Sequence, residues 1–206
     1  MNLTVCAGLP TIREVGTWYR AVEPRYLPGA LATAHTSTYT GRYHPGGFQI
    51  LYLAENHDVA LCEVGAIFGS PFKRGGIIPN PSSSWIVLNV TVSLQAIVDL
   101  TDPAKTHLPL NTTFQELTGD WEGYGSRGPY TRVKNPTGVA PTQDLGRELW
   151  NCGGFEGFRA VSAKRPCNEV LAVLPQRLKA GSFVKYTYID SAGNSNTYSL
   201  PTSPHP

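Results

Sequence analysis

The stretch Gln49-Ile50-Leu51-Tyr52-Leu53-Ala54-Glu55-Asn56-His57-Asp58-Val59-Ala60-Leu61-Cys62-Glu63-Val64-Gly65 contains the change of period that decides the fold. Its first six residues are mostly branched or aromatic and end at a polar break, the pattern of a short buried strand. Asn56 then offers a side-chain cap, Asp58 puts a negative charge in the first turn, and Gly65, Gly69 and Pro71 close the segment. This spacing predicts a helix over 55–68. Working outward, runs rich in Val, Ile, Leu and aromatic residues predict strands over 17–22, 85–92, 97–100, 169–174 and 183–189. A shorter helix is predicted over 144–150. The class that follows is α+β, strand-dominated, with residues 1–206 forming a single domain. Residues 103–141 turn polar and Gly-rich and read as an insertion or lid, too short for a core of its own. The end, 201–206, reads as a flexible tail.

Composition narrows the function classes. Of 206 residues, 41% are hydrophobic and 16% charged, enough apolar matter for a real core. The net charge of +2 arises from 17 Lys and Arg against 15 Asp and Glu with no basic block, so direct nucleic-acid binding is not expected. No apolar run approaches the ~20 residues of a membrane span, and residues 1–13 lack the charged-then-apolar pattern of a secretory signal. Cys6, Cys62, Cys152 and Cys167 form no CxxC pair, and no two histidines stand at ligand spacing. The expectation is free thiols, no metal and a cytoplasmic location.

On a helical wheel of about 100° per residue, Ala60, Val64, Phe68, Leu61, Ile67 and Val59 form one apolar arc, and Glu63 falls between Val59 and Ile67. An unpaired carboxylate there would cost several kcal/mol. Glu63 is therefore a carboxylate paired with Arg20 or Arg42, a residue at the arc's edge that reaches water, or a group held at a cleft wall for work on a ligand. Arg20 ends the strand stretch Trp18-Tyr19-Arg20, and Arg42 lies in the turn Gly41-Arg42-Tyr43-His44-Pro45-Gly46-Gly47. A guanidinium fork matches two phosphate oxygens. Tyr52 sits in an otherwise apolar strand, as a core tyrosine or as a platform for a heterocycle. His44 reads as a turn residue or as a ligand contact.

Taken in order, Tyr19-Arg20, Gly41-Arg42-Tyr43, Leu51-Tyr52-Leu53-Ala54, Ala60-Leu61-Cys62-Glu63-Val64, Val98-Asp99-Leu100-Thr101-Asp102 and Gly154-Phe155-Glu156-Gly157-Phe158-Arg159-Ala160-Val161-Ser162-Ala163 resemble the RES domain family, named for its Arg, Glu and Ser. The resemblance covers about residues 17–174. It implies a mixed-sheet fold like that of the ADP-ribosyltransferase toxins and a toxin that degrades NAD by cleaving the nicotinamide–ribose bond through phosphorolysis or hydrolysis. NAD would be the substrate, inorganic phosphate a candidate co-substrate, and no bound cofactor is implied. A cognate antitoxin with a helix-turn-helix DNA-binding domain would be the partner. By position, Glu63, Arg42 and Ser162 would be catalytic, and Arg20, Tyr52, Tyr43 and His44 would bind substrate. Tyr43-His44 stands where Trp-Asn is common in the family. Two other outcomes remain open: ADP-ribosyl transfer to a protein, and a catalytically silent nucleotide-binding module.

Other motifs fall away. Gly123-Tyr124-Gly125-Ser126-Arg127-Gly128 matches GxGxxG, but no strand precedes it and Pro129 follows where a helix should begin. There is no GxxxxGK[ST] and no GxSxG. His57 and Cys62 lie about 140° apart on the helix wheel, which argues against a Cys–His pair.

Overall fold

The computed structural model describes residues 1–69, 77–80, 84–124 and 138–201. Residues 125–128 of the glycine-rich run, part of the 103–141 insertion and residues 202–206 of the tail therefore lie outside the described residues. The strands are β1 (Thr11–Val22), β2 (Leu51–Ala54), β3 (Ile67–Gly69), β4 (Ile77–Pro79), β5 (Ile86–Asp99), β6 (Gly157–Val161), β7 (Glu169–Val173), β8 (Phe183–Ile189) and β9 (Ser195–Leu200). The helices are α1 (His57–Glu63), α2 (Leu108–Leu110), α3 (Phe114–Thr118) and α4 (Pro141–Cys152), with short 3-10 turns and one π turn between them.

Among the described residues, seven strands form one mixed sheet in the order β1-β2-β7-β6-β5-β8-β9, and β1 also pairs with β5. The pairings β1–β2–β7–β6–β5–β1 thus close a ring. Within it only β5–β6 is parallel. β5 makes this possible by its length: one edge runs beside β1 from Ile86 to Val98, while the other takes β8 at 91–93 and β6 at 97–99. β3 and β4 form a separate hairpin.

Alternation along the strands sorts side chains into two cores. Leu51, Leu53, Leu171 and Val173 join one cluster with Val90, Val92 and Leu94. Tyr52, Ala54, Val170 and Ala172 face the other way, into a cluster with Val59 and Ala60 of α1 and Leu145 and Leu149 of α4. The short strand β2 thereby places Tyr52 on the helix-covered face. At the β5–β6 junction the fully buried Glu156 carboxylate accepts backbone N–H bonds from Gln95 at 2.5 Å, Ala96 at 2.8 Å and Lys179 at 2.8 Å. Three donors offset the burial of its charge.

Several expectations need correction. The helix predicted over 55–68 ends at Glu63. Gly65 takes the left-handed conformation (φ 71°), its N–H donates to Cys62, and the Ala66 N–H donates to Leu61, a Schellman end that a glycine at this place favours. Ile67 and Phe68 belong to β3, so they do not extend the helical arc drawn for Glu63. The strands expected at 85–92 and 97–100 are one strand, β5, and the strand expected at 17–22 begins at Thr11. β6, β9 and the β3–β4 hairpin were not foreseen. The helix expected at 144–150 runs from Pro141, whose missing N–H suits a first turn, to Cys152, where Gly153 (φ 73°) ends it.

Candidate active site

A cavity of about 360 Å³ opens where the helix-facing side of β2 meets α1, the end of β1, the turn around Arg42 and the loop after β6. Arg20, Arg42, Tyr52 and Glu63 line it together, with Trp121 and Lys164. With Tyr43, five of the residues singled out in the sequence thus meet at one hollow.

Glu63 is the last residue of α1, where its side chain leaves the helix at the cavity wall and is partly exposed. The Ser162 hydroxyl donates to Glu63 Oε1 at 2.5 Å. Ser162 is itself fully buried, and its Oγ accepts the Arg165 backbone N–H at 3.0 Å while its own N–H donates to Asn168 at 2.8 Å. The serine is therefore locked in the loop that follows β6, with its proton directed at the carboxylate. Ser162 does not line the cavity; it lies behind Glu63 with its hydroxyl on the carboxylate. Lys164 Nζ reaches the Glu63 backbone carbonyl at 2.6 Å from the same loop. Neither Arg20 nor Arg42 forms an ion pair with Glu63 among the pairs given by the described residues.

Arg20 donates from Nη1 to the Tyr52 carbonyl at 2.8 Å, while its buried Nε has no hydrogen-bond partner among the described residues. Burial lowers its pKa to about 10, so it remains charged at neutral pH. A half-buried guanidinium at the wall of a cavity is a ready anchor for an anion. Arg42 is more committed: its Nη1 donates to the Gly119 carbonyl at 2.5 Å and lies 3.5 Å from the Leu117 carbonyl, at the end of α3. The guanidinium thus ties the turn after Gly41 to the segment that brings in Trp121.

The tyrosines form the floor. Tyr52 Oη accepts the Tyr43 backbone N–H at 3.4 Å, and Tyr43 Oη donates to the Leu117 carbonyl at 3.1 Å. Burial pushes both phenols well above their ordinary range, and both feel Arg42 and Glu63 with opposite signs. Tyr43 is almost fully buried against Phe158 in an edge-to-face contact. His44 does not line this cavity. Its Nε2 lies 2.6 Å from the Phe48 carbonyl and its ring packs edge-on against Phe48, which stacks on Trp150. Of the two readings given for His44, the turn residue describes what is seen: its ring is engaged with its own loop.

Sequence reasoning missed Lys164, Trp121 and Glu122. Lys164 could have been found from its place two residues after Ser162, on the same loop. Trp121 and Glu122 sit in a polar stretch with no periodicity to aim them, and the bonds from Arg42 to Gly119 and from Tyr43 to Leu117 help explain why that stretch comes near. Among the described residues, no group of three or more His, Cys, Asp or Glu is placed to hold a metal ion, and no helix is long and apolar enough to cross a membrane.

A fold and a cavity of this make-up define a mixed-sheet domain with an Arg–Tyr–Glu wall and a serine behind the glutamate. The RES domain family model matches residues 17–191, most of the chain. The chain belongs to the RES domain family, whose members are associated with toxin–antitoxin systems. No curated protein matches it.

Proposed function

We propose that the protein is the toxin of a toxin–antitoxin pair and cleaves the bond between nicotinamide and ribose in NAD. The observation that carries this reading is the Ser162–Glu63 bond on the wall of a cavity that also holds two guanidinium groups and Tyr52. The nicotinamide nitrogen is cationic in the substrate and neutral after departure, so the leaving group needs no proton. What needs help is the sugar, which becomes oxocarbenium-like as the bond breaks. With Oε1 held by Ser162, Glu63 offers Oε2 to the anomeric carbon or a ribose hydroxyl, stabilising positive charge from a fixed position. Arg20 takes a phosphate oxygen on its guanidinium at the cavity wall, Arg42 supports the same group, and Tyr52 packs on the sugar or base. Water as acceptor gives ADP-ribose, nicotinamide and a proton. Phosphate gives ADP-ribose phosphorylated at the anomeric carbon.

Purified protein incubated with NAD should release nicotinamide, measured by chromatography. Glu63→Gln, close in shape and uncharged, should lower the rate by at least about 100-fold, in keeping with loss of a main electrostatic group. A variant with full activity removes the mechanism. Dependence of rate and product on added phosphate separates phosphorolysis from hydrolysis, and label transferred to a protein would point to ADP-ribosyl transfer. We assign control to a cognate antitoxin carrying a helix-turn-helix domain, on the strength of the family association. The rival reading, a silent nucleotide-binding module, expects saturable NAD binding with no product.

A further inference from the structure

A second cavity of about 320 Å³ adjoins the first. The two share Trp121 and Glu122, and the turn that contributes Arg42 and Tyr43 to the first contributes Thr40 and Pro45 to the second. Gln143 also lines the second cavity, with its amide oriented: Oε1 accepts the Ala140 N–H at 2.9 Å and Nε2 donates to the Gly41 carbonyl at 2.9 Å. Trp121 and Glu122 thus belong to the walls of both hollows.

The first cavity lies near the lower end of the ~300–1,000 Å³ range of small-molecule sites. A dinucleotide has two nucleosides and outgrows such a space, whereas two hollows in series match its two halves. We propose that the second cavity is the adenosine subsite, with Trp121 as the stacking platform for the adenine and Glu122 as the residue that selects a free 2′-hydroxyl on the adenosine ribose. This inference rests on the proposed reading of the first cavity as an NAD site.

The chemistry of the shared wall supports the assignment. An indole face accepts any purine by stacking. A carboxylate accepts a hydrogen bond from a ribose hydroxyl and repels a phosphate in the same place, the discrimination that acidic residues provide in other dinucleotide sites. Glu122 is exposed and its N–H donates to Asp120 Oδ1 at 3.1 Å. The substrate selected is NAD, with its 2′-phosphorylated counterpart NADP disfavoured.

Calorimetric titration of the full chain with ADP-ribose and with 2′-phospho-ADP-ribose, neither of which contains the scissile bond, tests the subsite separately from the reaction. The unmodified protein should bind ADP-ribose at least about tenfold more tightly, and Glu122→Gln should narrow that ratio to about threefold or less, as expected for loss of one charge repulsion. Trp121→Ala should weaken ADP-ribose at least about tenfold, with Trp121→Phe recovering most of it, since a ring is what stacking requires. Equal affinity for the two ligands in the unmodified protein, a ratio unchanged by Glu122→Gln, or Trp121→Ala within about twofold of the original overturns the proposal. Failure of the unmodified protein to release nicotinamide from NAD, with these binding ratios intact, would overturn the reaction and leave the subsite standing.

Discussion

Ser162 is a fully buried hydroxyl that bears on the cavity through Glu63 without lining it. It spends its proton on Glu63 Oε1 and has its own lone pair taken by Arg165, so the carboxylate arrives at the cavity already oriented. Ser162→Ala should lower kcat of nicotinamide release about 10- to 100-fold, equivalent to about 1.4–2.8 kcal/mol, with KM nearly unchanged. Ser162→Thr, which retains the hydroxyl, should recover part of the loss if the added methyl is accommodated. Steady-state kinetics on the variants reads this split, and a rise in KM at constant kcat would instead place Ser162 in substrate binding. Arg20 and Glu63 stand out in the sequence because each sets a charge against an apolar pattern, Arg20 after Trp18-Tyr19 and Glu63 between Val59 and Ile67 on the helical wheel. The sequence does not decide His44, because a turn histidine looks the same in sequence whether its ring faces a ligand or its own loop.

At the scale of the elements, α4 approaches the turn after Gly41 so closely that a Cβ on Gly146 would lie 1.9 Å from the Tyr43 carbonyl oxygen. A methyl group there has to displace backbone, so Gly146→Ala should cost about 1–3 kcal/mol of stability. It should also weaken NAD turnover, since Tyr43 adjoins Arg42. Urea unfolding followed by circular dichroism measures the first effect, and a Cm equal to that of the parent would mean that α4 yields at no cost. The strand–helix step at 49–65 was legible because period, cap and closing glycine all occur within it. Its end was misplaced because the apolar residues of β3 happen to continue the helical spacing past Gly65. β6 and β9 escaped for another reason. Gly157-Phe158-Arg159-Ala160-Val161 has an arginine at its centre, and Ser195-Asn196-Thr197-Tyr198-Ser199-Leu200 is largely polar, so pairing with neighbours makes them strands where propensity does not.

For the molecule as a whole, Arg159 gathers Asp99, Glu169 and Glu14 at 2.5, 3.3 and 3.7 Å, tying β6 to β5, β7 and β1 across the ring. Burial alone would raise the Asp99 pKa, but hydrogen bonds from Arg159 and Thr101 outweigh it and leave the carboxyl below its ordinary value of 3.8. A carboxyl whose folded pKa is depressed contributes stability above its unfolded pKa and loses it as pH falls through the folded one. Thermal unfolding temperature should accordingly fall as pH drops below about 4, and Asp99→Asn should show a shallower fall over that range. An equally steep fall in the variant would assign the acid sensitivity elsewhere.

The closed ring has a consequence for synthesis. Glu63 and Ser162 stand 99 residues apart in the chain, and β2, which carries Tyr52, completes its sheet partners only when β7 is present. A nascent polypeptide therefore holds no assembled pocket while it is still short of β7. In a member of a family associated with toxin–antitoxin systems, the pocket therefore waits on the synthesis of β7.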